Sequence, residues 1–189
     1  MSKDNIEERQ AKLQALNLFL SRTLDEIEVG TFKGLAEIHR HIFAGVYENP
    51  GEIRTVDVYK GKMRFASVLY LGTALKFVDI MPADTLEDII KKYVEMNIAH
   101  PFREGNGIAM RIWLDGMLKA KFGMVVDYSF IPRDTYIAAM EDSTVDPSKL
   151  LNLIKRAMTK DFSLNSYMRS LDAGFAYEGY SKYKSSDLI

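Results

Sequence analysis

The chain has 189 residues, 47% of them hydrophobic, with 25 Lys+Arg against 26 Asp+Glu and a formal charge of −1. That length suits one domain with an ordinary core, and the composition excludes global disorder. The absence of cysteine excludes a disulfide framework, a thiolate zinc site and a cysteine nucleophile, while the balanced charge offers no broad basic field for nucleic acid or an anionic membrane.

The N-terminal MSKDNIEERQAKLQ lacks the apolar core of a signal peptide, and no apolar run approaches the roughly 20 residues of a membrane span. A soluble cytoplasmic protein is expected. Helical periodicity dominates from there on. After a first helix over 6–21, Thr31 is placed to cap one running to Ala44, with Phe32, Leu35, His39, Ile42 and Phe43 on one face and Gly45 as its stop. Arg54 to Phe65 reads as extended, with Val56 and Val58 alternating with polar residues up to Lys60-Gly61. That predicts a small hairpin, on a weaker turn signal than Asn-Gly. Ser67 caps the next helix, to Ile80. From Thr85 to Ala99, Leu86, Ile89, Ile90, Tyr93 and Val94 share a stripe, and Asp88 completes a near capping box. Pro101 then drives His100 out of helical geometry.

A further helix starts at Asn106 and runs to Lys121. Ala109, Ile112, Trp113, Gly116, Met117 and Ala120 mark one face, yet Met110, Leu114 and Leu118 are apolar too, as in a buried central helix. Helices are also expected over 132–141, from the Asp146-Pro147 N-cap and N1 pair through Met158, and over 166–178. The expected fold class is all-α with one small β-hairpin.

Chemistry concentrates in His100-Pro101-Phe102-Arg103-Glu104-Gly105-Asn106-Gly107, the turn that opens the central helix. A helix N-terminus after a Gly-Asn-Gly turn presents free N–H groups and a positive dipole end, and the glycines let a phosphate approach the backbone closely. Glu104 adds a hard oxygen ligand suited to Mg²⁺ bridging phosphates. Arg111, four residues past Gly107, offers a fork for a more distant phosphate. His100 has the natural pKa to take a proton from an attacking hydroxyl.

Residues 100–111, HPFREGNGIAMR, resemble the Fic family signature H-x-F-x-[D/E]-G-N-G-R-x-x-R at every anchored letter except Ile108. Upstream, Glu28-Val29-Gly30-Thr31, Ile38-His39, Phe43, Tyr47 and Gly51-Glu52-Ile53-Arg54 resemble the family's N-terminal half. The resemblance covers essentially the whole chain, whose length suits the short bacterial forms. It implies a Fic fold, with residues 1–165 as the Fic domain and 166–189 as an inhibitory helix and tail. The implied activity is protein adenylyltransfer: AMP passes from ATP, with Mg²⁺, to a Tyr, Thr or Ser hydroxyl of an unidentified cytosolic protein. In that reading His100 is the general base, Glu104 the metal ligand, and Gly105, Asn106 and Gly107 the anion hole, with Asn106 near the α-phosphate. Arg111 pairs with the γ-phosphate, Phe102 anchors the loop, and Lys60, Gly61 and Lys62 form the flap that aligns a target strand.

Ile108 departs from the family pattern, and the alternative it raises is a degenerate Fic scaffold that acts as a regulatory binding module with little or no turnover. Gly174-Phe175-Ala176-Tyr177-Glu178-Gly179 is similar to the inhibitory pattern [S/T]-x-x-x-E-[G/N], with Gly at the Ser/Thr position. The resemblance implies that Glu178 pairs with Arg111 in bidentate fashion where the γ-phosphate would sit. Asp172 or Ser170 would supply the missing cap, and Tyr177 and Tyr180 are candidate sites of self-modification. His39 is expected to be a packed, hydrogen-bonded residue and not a metal ligand. The aromatic-rich stretch 166–183 is expected to dock on the domain or on a second subunit, so a homo-oligomer is one expectation. No nucleic-acid or membrane partner is expected.

Overall fold

In the computed structural model, which describes residues 3–60 and 63–189, the elements follow one another as α1 (Lys3–Leu20), α2 (Phe32–Phe43), β1 (Tyr59–Lys60), β2 (Met63–Arg64), α3 (Val68–Ile80), α4 (Leu86–Ala99), α5 (Asn106–Phe122), β3 (Val125–Val126), α6 (Arg133–Asp142), α7 (Ser148–Ala157), β4 (Met158–Thr159) and α8 (Leu164–Tyr177). Helix α5 is the axis. It packs against α2, α4 and α8, while α1 leans on α2 and α3 on α4. Its first three turns bury Ile108, Ala109, Met110, Ile112, Trp113, Leu114, Met117 and Leu118, each large side chain contributing about 1.5–3 kcal/mol. The last turn emerges, so Ala120 is exposed and not on the core face. Trp113 Nε1 donates to Thr31 O at 3.0 Å, tying the axis to the start of α2.

Local signals set most boundaries. Thr31 Oγ1 accepts from Gly34 N at 3.2 Å, and α4 carries a complete capping box between Thr85 and Asp88. Ser67 stands at the N-cap of α3 without a capping bond; the Asp57 carboxylate takes the Val68 N–H instead, at 2.7 Å. Helix α7 begins one residue later than Asp146-Pro147 suggested: Pro147 is the N-cap, and Asp146 accepts from Ser148 N at 3.0 Å. Neither Asp172 nor Ser170 caps α8, because Ser163 does so about two turns or more earlier, accepting from Ser166 N at 3.3 Å.

The hairpin pairs Tyr59 with Arg64 and Lys60 with Met63, shorter than the stretch from Arg54 to Phe65 that the alternation suggested. Arg54 N is bonded to Pro101 O at 2.8 Å and Asp57 holds α3, so neither belongs to the ladder. Gly61 and Lys62 of the expected flap lie outside the described residues. A second antiparallel pair, β3 with β4, has no counterpart in the sequence reading. The C-terminal stretch docks on the domain itself: Tyr167 stacks on Phe19 at 4.2 Å, and Phe175 and Tyr177 are buried.

Candidate active site

The turn between α4 and α5 is held open by its own residues. Pro101 stops α4, and His100 takes the left-handed conformation, φ 48° and ψ 63°, its N–H on Met96 O at 2.9 Å. Few non-glycine residues adopt that region, so neighbours must fix it. Arg54, buried, donates from Nε to His100 O at 2.8 Å and from Nη2 to Ala99 O at 3.2 Å and to Ala66 O. A cation thus meets the carbonyl end of α4, where the helix dipole favours it. Phe65, just past β2, stacks on the His100 ring at 3.6 Å between centroids. Replacing Arg54 with Met leaves these buried carbonyls unmet. It should cost about 3 kcal/mol and lower the melting temperature by roughly 6–12 °C in a calorimetric scan, with Arg54→Lys recovering only part.

Beyond His100, Phe102 is buried against His39, ring centroids 3.9 Å apart, in the anchoring place expected for it. Asn106 braces the turn with its side chain. Its Oδ1 accepts from Phe102 N at 3.0 Å and its Nδ2 donates to Phe102 O at 2.7 Å. The backbone N–H of Asn106 and the second Nδ2 hydrogen are not used by these two bonds. Gly105 has φ 75°, and a Cβ there would fall 2.5 Å from Phe43 Cε2, so glycine is required on both counts.

His39 Nδ1 accepts from Gly51 N at 2.9 Å, which leaves Nε2 to donate to Glu104 O at 2.9 Å. It is a neutral hydrogen-bonded strut beneath the turn, as expected, and burial holds its pKa down to about 4. The sign follows from proton counting: the unfolded chain binds a proton at this histidine below about pH 6.5 and the folded chain does not, so stability is full above that value and falls as pH drops towards 4. The loss amounts to about 3 kcal/mol. Urea titrations at pH 7 and pH 4.5 should show it, and His39→Gln should remove most of the difference.

The first turn of α5 faces a cavity of about 390 Å³ whose lining includes His100, Glu104, Gly107, Ile108, Arg111 and Glu178, a size normal for ligand sites. Glu104 is exposed at this cavity. Arg111 is buried, and Nη1 and Nη2 both donate to Glu178 Oε1 at 3.1 Å, while Nη2 also donates to Gly174 O at 2.6 Å. The fork therefore converges on one carboxylate oxygen, not two as expected, because the Gly174 carbonyl holds part of it. The rings of Tyr177, Tyr136 and Tyr128 lie 5.3, 5.8 and 6.0 Å from the Arg111 guanidinium carbon. Burial presses the Arg111 pKa down, but the Glu178 carboxylate together with the Tyr136, Tyr93 and Tyr128 hydroxyls outweighs it and the net shift is upward. Glu178 Oε1 lies only 2.1 Å from where a Cβ on Gly107 would stand, so its carboxylate rests directly on the opening turn of α5.

Of the tail tyrosines, Tyr180 lines the cavity. Tyr177 does not: its hydroxyl is buried and donates to Tyr128 O at 2.8 Å and Ile131 O at 2.6 Å, which withdraws it as a modification site while α8 is docked. Lys60 is in β1, on the hairpin next to Phe65. Sequence reasoning gave no side-chain role to Arg54 or Phe65, whose importance lies chiefly in the carbonyls of Ala99 and His100 and in the His100 ring, all distant along the chain.

Residues 31–118 match the Fic/DOC family model. "Probable protein adenylyltransferase Fic" of Salmonella typhimurium is 28% identical over 138 residues, covering 67% of this chain and 68% of that protein. Its namesake from Escherichia coli is 27% identical over 165 residues, covering 79% and 82%. The crystal structure of BepC from Bartonella tribocorum with bound AMPPNP shares the fold at a TM-score of 0.69 and 19% identity, over 83% of this chain and 86% of that one. No helix among the described residues is long and apolar enough to cross a membrane. The signature turn, the buried central helix and these relatives all agree with the Fic/DOC family model that residues 31–118 match.

Proposed function

We propose that this chain is a protein adenylyltransferase held in check by its own C-terminal helix. The observation that carries this reading is the convergence of His100, Glu104, the glycine-flanked start of α5 and Arg111 on one cavity, with the Glu178 carboxylate already paired to Arg111 inside it. His100 would take the proton from a Tyr, Thr or Ser hydroxyl of a target protein. The hydroxyl oxygen attacks the α-phosphorus of ATP, the bond to the β-phosphate breaks, and pyrophosphate leaves with AMP joined to the target. Backbone N–H groups of Gly105, Asn106 and Gly107 would hold the phosphate charge, and Arg111 the terminal phosphate.

Mg²⁺ would be held by Glu104 together with the phosphates. The described residues contain no group of three His, Asp or Glu able to cage a metal, which fits an ion that keeps its waters and arrives with the nucleotide. The β1–β2 hairpin would present main-chain groups to an extended target segment. Tyr180, on the cavity wall, is the tail tyrosine placed for self-modification.

The test is incorporation of label from α-labelled ATP with Mg²⁺ into protein, using a Glu178→Gly chain. His100→Ala in that background should abolish the label, and label that persists would remove His100 from its role. Ile108, in place of the family arginine, favours a second reading: a scaffold that binds nucleotide and turns it over very little. Normal ATP binding without incorporation in the Glu178→Gly chain selects that second reading.

A further inference from the structure

A second cavity, of about 350 Å³, lies along a different stretch of α5 and shares no lining residue with the first. Its walls are aromatic: Phe19 and Tyr167 as a stacked pair, with Trp113 and Phe162. Asp115, on α5, is one of the polar groups of the lining. Its Oδ1 accepts from Val126 N at 2.8 Å, and its second oxygen takes no bond from any described residue.

Carboxylates outnumber cations in the lining, with Asp25, Glu28, Asp115 and Asp161 against Lys119 alone. Lys119 is itself bound to Asp25 at 2.6 Å. Such a cavity is complementary to a cation that carries an apolar body, since the carboxylates attract the charge and the aromatic faces accept it. We infer that this cavity binds a small apolar ammonium compound, an arylalkylamine or branched alkylamine, with the ammonium on Asp115 and the body among Phe19, Tyr167 and Trp113.

The electrostatics make that binding dependent on pH. Burial raises the Asp115 carboxyl to about 8, against the opposing pull of the Val126 N–H and of Arg111 one turn back on α5; Asp127, after β3, adds to the rise. Tyr128 and the α8 residue Tyr167 also face it, while Lys119 and Asp161 stand elsewhere in the lining. The acid is therefore neutral in the empty cavity at pH 7. On binding, its O–H proton passes to solvent and the carboxylate pairs with the ammonium, so each ligand bound releases one proton.

Calorimetric titration of the full chain with tryptamine tests this. Tryptamine stays an ammonium between about pH 6 and 8, as a lysine does, and affinity should rise about tenfold from about pH 6 to 7 and about fivefold from about pH 7 to 8, where the carboxyl reaches its own pKa of about 8. Repeating the titration in buffers of different ionisation heat should return one proton released per ligand. Asp115→Asn, whose Oδ1 still accepts from Val126, should abolish the pH dependence and weaken binding tenfold or more. Gly116 lines the cavity and has open space where a Cβ would stand, so Gly116→Leu should block entry while leaving Asp115 intact. The proposal is overturned by absence of binding at millimolar tryptamine, by equal binding of uncharged 3-ethylindole, by affinity that falls as pH rises, or by binding unchanged in both variants.

Discussion

A Glu178→Gly chain is expected to incorporate AMP from α-labelled ATP roughly 30- to 1,000-fold faster than the unaltered chain. The range is set by what ATP must displace. Two charge-assisted hydrogen bonds join Arg111 to one Glu178 oxygen, and because they share that acceptor they count together for about 2–4 kcal/mol, less than two separate bonds, which a terminal phosphate has to match before it can use the same guanidinium. Stability should move the other way. Arg111 is 4% exposed and Glu178 18%, and removing one partner of so buried a pair leaves the other uncompensated, at a cost of about 3 kcal/mol. Without nucleotide the variant should melt roughly 6–12 °C lower. Saturating ATP should return more of that loss in the variant than it adds to the unaltered chain, because only in the variant is the guanidinium available to phosphate at no competing cost. Equal incorporation by both chains would show that the Arg111–Glu178 pair has no part in regulation.

Ile108→Arg, made in the Glu178→Gly background, is expected to raise incorporation a further 10- to 150-fold. One charge-assisted contact to a phosphate is worth about 1.5–3 kcal/mol, and that contact is what the isoleucine lacks. Ile108 is 3% exposed and lines the same cavity as Arg111, which stands three residues on along the helix. A second guanidinium there meets the first with like charge in a poorly hydrated place, so the double variant should be less stable without ATP and should recover when ATP binds. Ile108→Leu serves as the control and should leave incorporation unchanged. If Ile108→Arg adds nothing, position 108 is a packing position in this chain, and its isoleucine does not weaken catalysis.

Much of the fold was legible because its signals are local. Both ends of α4 are written within a few residues, as Thr85 with Asp88 at the start and Pro101 just past the end. The all-round apolar pattern of α5 announced a buried axis. The β3–β4 pair escaped notice because two-residue strands have no periodicity to display. At the candidate site, the turn from His100 to Gly107 is one continuous segment and could be read as such. The pairing of Arg111 with Glu178, 67 residues apart, was accessible only through family resemblance. The bracing of the turn by the Asn106 side chain on Phe102 was not legible, because a motif letter read for its ligand does not reveal what it does for the loop. Arg54 and Asp115 owe their importance to groups brought near by folding, and nothing adjacent to them in the chain predicts those neighbours.

The far end of the chain is fastened at several points besides Glu178. Lys12, buried within α1, reaches Asp172 at 3.1 Å and the Tyr183 carbonyl, and the same aspartate receives both the N–H and the hydroxyl of Ser185. Tyr177 is bolted to two carbonyls on the neighbouring loop. Undocking α8 would break all of these fastenings at once, whereas turning the Glu178 side chain about its own bonds breaks none of them. The cheapest way to vacate Arg111 is thus a swing of one residue on a stationary mount, a pawl lifting from a ratchet whose frame stays still, and circular dichroism would register no loss of helix when it happens.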